Sequence, residues 1–214
     1  MSGNVLVIAP HADDEVLGVG CTIQQHILRG DSVSVIVVSD RNGLADKQRQ
    51  QAEAAKNILG YNKLYCLGLH DGHLHESMRD VIDLIEPIYL DVKPTTVYTC
   101  HEGDVNLDHQ IVYTASTIVC RSIQQHKPKK LYSYEIPSST TQGLKQPFIP
   151  NVYNKTDLPQ LDKKIQAMNV YSDETRKYPN PRNQRGLIAY SEFRGMECNH
   201  EYAEAFMLKR EINE

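Results

Sequence analysis

Short apolar runs alternate with longer stretches of helical periodicity through the first two thirds of this chain. Val5-Leu6-Val7-Ile8-Ala9 predicts a buried strand over residues 4–9. Residues 14–29 follow as a helix, with Val16, Leu17, Ile23, Ile27 and Leu28 on its apolar face and Gly30 closing it. Ser32 to Val38 reads as a second strand, Asp46 to Leu59 as an Ala- and Gln-rich helix stopped by Gly60, and Leu64 to Leu67 as a short strand. A helix over 77–91, interrupted near Pro87, leads to a strand at Thr95–Thr99, a helix from Asp108 to Gln125 and a strand at Leu131–Glu135. Beyond Ile136 the pattern weakens: a Pro/Ser/Thr/Gly loop over 137–150, a helix over 157–171, an irregular polar segment from Asp173 to Arg185 and a helix over 186–195. The alternation predicts an α/β fold, a Rossmann-like doubly wound, mostly parallel sheet with helices on both faces. No linker divides the chain, so residues 1–214 are expected to form a single domain, with 1–136 as the core and 137–214 shaping the substrate site.

Composition narrows the classes of function. The net charge is -4 over 214 residues and no basic stripe is visible, which argues against a nucleic-acid partner. No apolar run approaches the roughly 20 residues of a membrane span. The start, Met1-Ser2-Gly3-Asn4, lacks the pattern of a signal peptide. The five cysteines lack CxxC spacing and mostly lie in apolar stretches, as reduced thiols of a cytoplasmic protein do. A homo-oligomer is left open.

The chemistry collects where strands end. In such sheets ligands bind outside the carboxyl ends of the strands. Pro10-His11-Ala12-Asp13-Asp14-Glu15 directly follows the first strand, and His101-Glu102-Gly103-Asp104-Val105-Asn106-Leu107-Asp108-His109 directly follows the fourth. Carboxylates at 13–15 would also suit the first turn of a helix, and Asp108 would suit a helix cap. Asp104-x-Asn106-x-Asp108 resembles the opening of a calcium loop. It fails as one, because His109 stands where the loop needs Gly and Ala115 where it needs Glu. A His/Asp pair on the first loop and a histidine on the fourth make a three-ligand set that suits a catalytic divalent ion, with Asp13 free to take a proton from water.

These motifs, with the Leu67-Gly68-Leu69-His70-Asp71-Gly72 turn, Tyr134-Glu135, Arg194-Gly195 and Tyr202-Ala203-Glu204-Ala205-Phe206, resemble the LmbE-like (PIG-L) zinc-dependent N-deacetylases over most of the chain. The resemblance implies an LmbE-like fold and a hydrolase that removes acetyl groups from N-acetylglucosamine units, often within larger conjugates. It implies one zinc per chain, another divalent ion being chemically acceptable to the set, held by His11, Asp14 and His109, with Asp13 as general base. Many members carry a histidine three residues before the last ligand, supporting the oxyanion; here that position is Asn106, and His101 is a candidate to compensate. Asp71 is expected to face the site, and Asp40, in the turn Asp40-Arg41-Asn42-Gly43, and Arg49 are candidates for substrate contacts. His70, His73 and His75 read as solvated loop histidines. Gly18-x-Gly20 lies inside a helix and so is a poor dinucleotide fingerprint. Two alternatives stay open: an amidase acting on a different amide, as in thiol-sugar conjugates, and a Rossmann-like binding module without catalysis.

Overall fold

In the computed structural model, which describes residues 2–41 and 43–213, the alternation becomes one sheet flanked by helices. Its first half runs β1 (Asn4–Ala9), α1 (Asp14–Leu28), β2 (Ser32–Asp40), α2 (Ala45–Leu59), β3 (Lys63–His70). The second half continues with α3 (Met78–Val92), β4 (Thr96–Cys100), α4 (Leu107–Val119) and β5 (Lys130–Tyr134). Last come β6 (Val152–Thr156), α5 (Leu158–Val170), α6 (Gln184–Glu197) and β7 (Tyr202–Glu211). The strand order is β3-β2-β1-β4-β5-β7-β6. The first five strands pair in parallel, and β7 and β6 close one edge antiparallel.

β1 is central. Val5 to Ala9 are all buried, because the strand has β2 on one side, β4 on the other and helices over both faces. Chain order reverses between β1 and β4, so the loops after these two strands face one crevice. Those are the loops that carry the two histidine motifs.

α1 is buried from Asp14 through His26, packed against α2 and α5. Such a helix needs small residues where neighbours press in. A Cβ on Gly18 would lie 2.2 Å from the Tyr134 ring, and one on Gly20 3.1 Å from Lys164 Cγ. That close approach accounts for the Gly18-x-Gly20 spacing. The expected break near Pro87 does not occur, since α3 runs through it. α4 stops at Val119 rather than at residue 125, because Ile123 is exposed and finds no core that would continue the helix. β6 and β7 were not expected. Glu204, the third residue of β7, is buried against Lys164 at 2.7 Å.

Candidate metal centre

The loop from β1 enters α1 through a strained residue. Asp13 has φ 123° and ψ −26°, a region that side-chain-bearing residues rarely adopt. The turn is fixed from several sides. Asp13 N–H donates to Glu15 Oε2 at 3.1 Å, Tyr171 O–H donates to Glu15 Oε1 at 2.6 Å, and the Asp13 carbonyl accepts from Val16 and Leu17 N–H. Burial pushes the Glu15 carboxyl up to about 7 against the opposing Tyr171 bond. None of these carboxylates caps α1 by a side-chain bond. The turn serves instead to point Asp13 and Asp14 at the crevice.

His11, Asp14 and His109 meet there. His11 Nδ1 lies 3.1 Å from Asp14 Oδ2, His109 Nε2 3.3 Å from the same oxygen, and the two ring nitrogens 3.3 Å from each other. A tetrahedral zinc with ligands at about 2.0–2.1 Å spaces them about 3.3–3.4 Å apart, so the triangle has the size of one face of that tetrahedron. Asp14 Oδ1 is buried without a hydrogen-bond partner among the described residues, an acceptor that a cation would satisfy. The donor set therefore fits a divalent ion.

The outer nitrogens of both histidines face carboxylates. His11 Nε2 lies 3.1 Å from Asp71 Oδ1 and 3.2 Å from Asp108 Oδ2, and His109 Nδ1 lies 3.1 Å from Asp104 Oδ2. This is how metal-binding imidazoles are usually oriented and kept basic. Without a metal the same carboxylates hold protons on the rings. Burial acts to lower His109, but Asp14 and Asp104 outweigh it and raise it to about 9. His11 is raised well above its usual range in the same way, against burial, by Asp108, Asp14 and Asp71. Burial acts to raise Asp14, and the two imidazoles, His109 first, hold it well below the usual carboxylate range. Asp71 falls to about 2, first through its hydrogen bond with His11.

The Asp-x-Asn-x-Asp spacing forms successive Asx turns. Asp104 Oδ1 accepts Asn106 N–H at 2.8 Å, and Asn106 Oδ1 accepts Asp108 N–H at 2.9 Å. Asn106, not Asp108, is therefore the cap of α4. Asp108 is turned away to His11 and to Gly72 N–H at 2.6 Å, which docks the loop after β3 onto the site. Because Asn106 Oδ1 must be the acceptor for a backbone N–H, its amide Nδ2 is left for another partner.

A cavity of about 100 Å³ opens at this point, lined by His11, Asp13, Asn106, Asp71, Arg41 and Arg182 among others. Arg182 Nη1 donates to Asp13 Oδ2 at 2.9 Å. Burial and the neighbouring Asp14 charge push the Asp13 carboxyl well above its usual range, with Arg182 opposing them. A second cavity of about 160 Å³ adjoins it through Ala12 and Gln48 and holds Asp40 and Arg49. Asn42 lies outside the described residues. His101 is not brought to the triangle: its Nε2 faces the Gln146 carbonyl at 2.8 Å, its ring packs edge-on to Phe148, and it does not line the cavity. His73 is exposed and pairs with Glu76. Sequence reasoning did not single out Asp104 as the support of His109, nor Glu174 and Arg182. Arg182 and Glu174 sit in the irregular polar segment, where no periodicity marks them.

No helix among the described residues is long and apolar enough to cross a membrane. The family described as "PIG-L: GlcNAc-PI de-N-acetylase" matches residues 6–120. The "Uncharacterized deacetylase YaiS" of Escherichia coli K12 is 30% identical over 173 residues, which is 77% of this chain and 88% of that protein. N,N'-diacetylchitobiose deacetylase from Pyrococcus horikoshii shares the fold with TM-score 0.79 at 19% identity, covering 95% of this chain and 82% of that one. GalB, the 4-carboxy-2-hydroxymuconate hydratase of Pseudomonas putida KT2440, shares it with TM-score 0.74 at 21% identity, covering 100% and 99%.

Proposed function

The chain belongs to the PIG-L family, and we propose that it is a zinc-dependent hydrolase removing the acetyl group from an N-acetylated amino sugar or sugar conjugate. The observation that carries this reading is the triangle of His11, Asp14 and His109 with edges of 3.1 to 3.3 Å, beside a carboxylate, Asp13, that is not part of it. The GlcNAc-PI of the family description and the diacetylchitobiose of the Pyrococcus horikoshii neighbour support an acetyl sugar as substrate class.

Zinc held there would supply Lewis acidity to the amide carbonyl and to the attacking water. The other steps belong to side chains. Asp13 takes the proton as the water oxygen bonds to the carbonyl carbon; its raised pKa suits a base that must hold the proton and then return it. The carbonyl π electrons move onto oxygen, and Asn106 Nδ2, freed by the Asx turn, is a donor for that charge. When the carbonyl re-forms, the C–N bond breaks and Asp13 delivers its proton to the leaving amine. Acetate and the free amino sugar result. Asp71, which lines the first cavity, and Asp40 and Arg49, which line the second, would contact sugar hydroxyls. Ser138, Glu174 and Arg182 bring the C-terminal part to the cavity's edge, consistent with its role in shaping substrate choice.

The test is zinc content of wild type and Asp14→Ala, paired with acetate release from a panel of free and conjugated N-acetyl sugars. About one zinc per chain, lost in Asp14→Ala, with acetate released only by wild type, is expected. Metal without acetate release would move the activity to another amide or to hydration, the reaction of GalB. No metal in folded protein would refute the mechanism.

A further inference from the structure

We propose that Arg182 is a catalytic residue: the cation that meets the negative charge as it leaves Asp13 and appears on the carbonyl oxygen. The proposal rests on the deacetylase reading above. Two arginines line the cavity, and they are held differently. Arg41 pairs at the more open side, 2.6 Å from Glu174 and 3.3 Å from Asp71, with its side chain 39% exposed and no ion pair to Asp13 among the described residues. Arg182 is 19% exposed and reaches inward, its Nη1 2.9 Å from Asp13 Oδ2 and 3.3 Å from Glu174 Oε2. Its Nε donates to Ser138 Oγ at 2.7 Å, which fixes the plane of the guanidinium. Among the described residues these bonds leave Nη2 uncommitted.

Charge accounting gives the role. Before reaction the negative charge nearest Arg182 is on Asp13. Proton transfer from water neutralises Asp13, and in the same event the new C–O bond sends the carbonyl π electrons onto oxygen. One negative charge has moved a few ångströms within the cavity, and the number of charges is unchanged. A group bonded to Asp13 at the start is beside both positions. The guanidinium stays charged throughout, so it compensates charge and does not donate a proton. Its spare Nη2–H is directed donor capacity that Asn106, a neutral amide, cannot match in strength. When the C–N bond breaks and Asp13 gives up its proton, the original pair re-forms.

The experiment is steady-state kinetics of Arg182→Ala and Arg182→Lys on a substrate that wild type deacetylates, with zinc content and Tm measured alongside. Loss of one such donor is expected to lower kcat about 100- to 1000-fold, with KM, zinc content and Tm little changed. Arg182→Lys, which keeps the charge and loses the fork, should fall between. Guanidinium chloride at millimolar concentration should restore part of kcat to Arg182→Ala and not to Arg182→Lys. Lys177→Ala, an exposed residue on the same segment, should match wild type. Unchanged kcat in Arg182→Ala, or a loss that follows Tm or zinc content and is not rescued by guanidinium, overturns the assignment and leaves the deacetylase reading standing. Absence of acetate release by zinc-loaded wild type overturns both.

Discussion

Asp104→Asn tests whether the carboxylates behind the histidines serve the metal. Asp104 is 1% exposed. Its Oδ2 lies 3.1 Å from His109 Nδ1 and accepts from Ser139 Oγ at 2.9 Å and Thr140 Oγ1 at 2.5 Å, while Oδ1 holds the Asn106 N–H. The substitution keeps the shape and the Oδ1 bond and removes the charge that makes His109 a strong donor. Loss of such a partner weakens metal binding about 10- to 100-fold, which at about 1.4 kcal/mol per tenfold is about 1.4–2.7 kcal/mol. Asp71, which shares His11 with Asp108 and is 29% exposed, should matter less when changed to Asn, because water screens it and a second carboxylate remains. The assay is competition for zinc between metal-free protein and a chromophoric chelator near pH 7.5. Turnover per bound zinc should stay within a few fold of wild type. A change in Kd below about threefold for Asp104→Asn, or an equal change for Asp71→Asn, would refute the reasoning.

Three further outcomes follow from the same contacts. The raised pKa of His109, about 9, stabilises the metal-free fold fully below its unfolded value near 6.5 and is lost as pH rises through about 9. Zinc must displace that proton, so the rise in Tm on adding zinc should grow from pH 6 to pH 9; a constant rise would contradict this. Lys164→Met strands the buried Glu204 and should cost about 3–5 kcal/mol in urea denaturation. Gly18→Ala forces a methyl to 2.2 Å from the Tyr134 ring and should cost about 1–3 kcal/mol, whereas an effect below half of that would mean the ring moves freely.

How much of this was legible in the sequence follows from the range of each interaction. β1, its motif and α1 were legible because a buried central strand is an unbroken apolar run and its turn is local. β7 was not. Its first half is Tyr-Ala-Glu-Ala-Phe, in which Ala and Glu are poor strand formers. Glu204 is tolerated there only because Lys164 and the backbone N–H groups of Cys21 and Thr22 meet it, partners a linear pattern does not show. The β6 edge strand, half-exposed and only five residues long, carries as little signal.

The site divides in the same way. His11, Asp13, Asp14, Asn106 and His109 stand in two short motifs after strands, whereas Arg182 meets Asp13 across 169 residues and leaves no trace in spacing. Asp13, Asp14, Glu15, Asp71, Asp104, Asp108 and Glu174 are drawn into one crevice with two arginines, Arg41 and Arg182. Burial pushes Glu15 toward its neutral form and the facing carboxylates push both imidazoles toward their charged form, but the inner ring nitrogens converge at 3.3 Å, a contact that two cations would resist. A dication replacing those protons relieves the repulsion between the rings and satisfies the unpaired Asp14 Oδ1. The strained Asp13 stands directly beside that position. The electrostatics of the crevice thus favour a bound divalent cation on grounds independent of any relative.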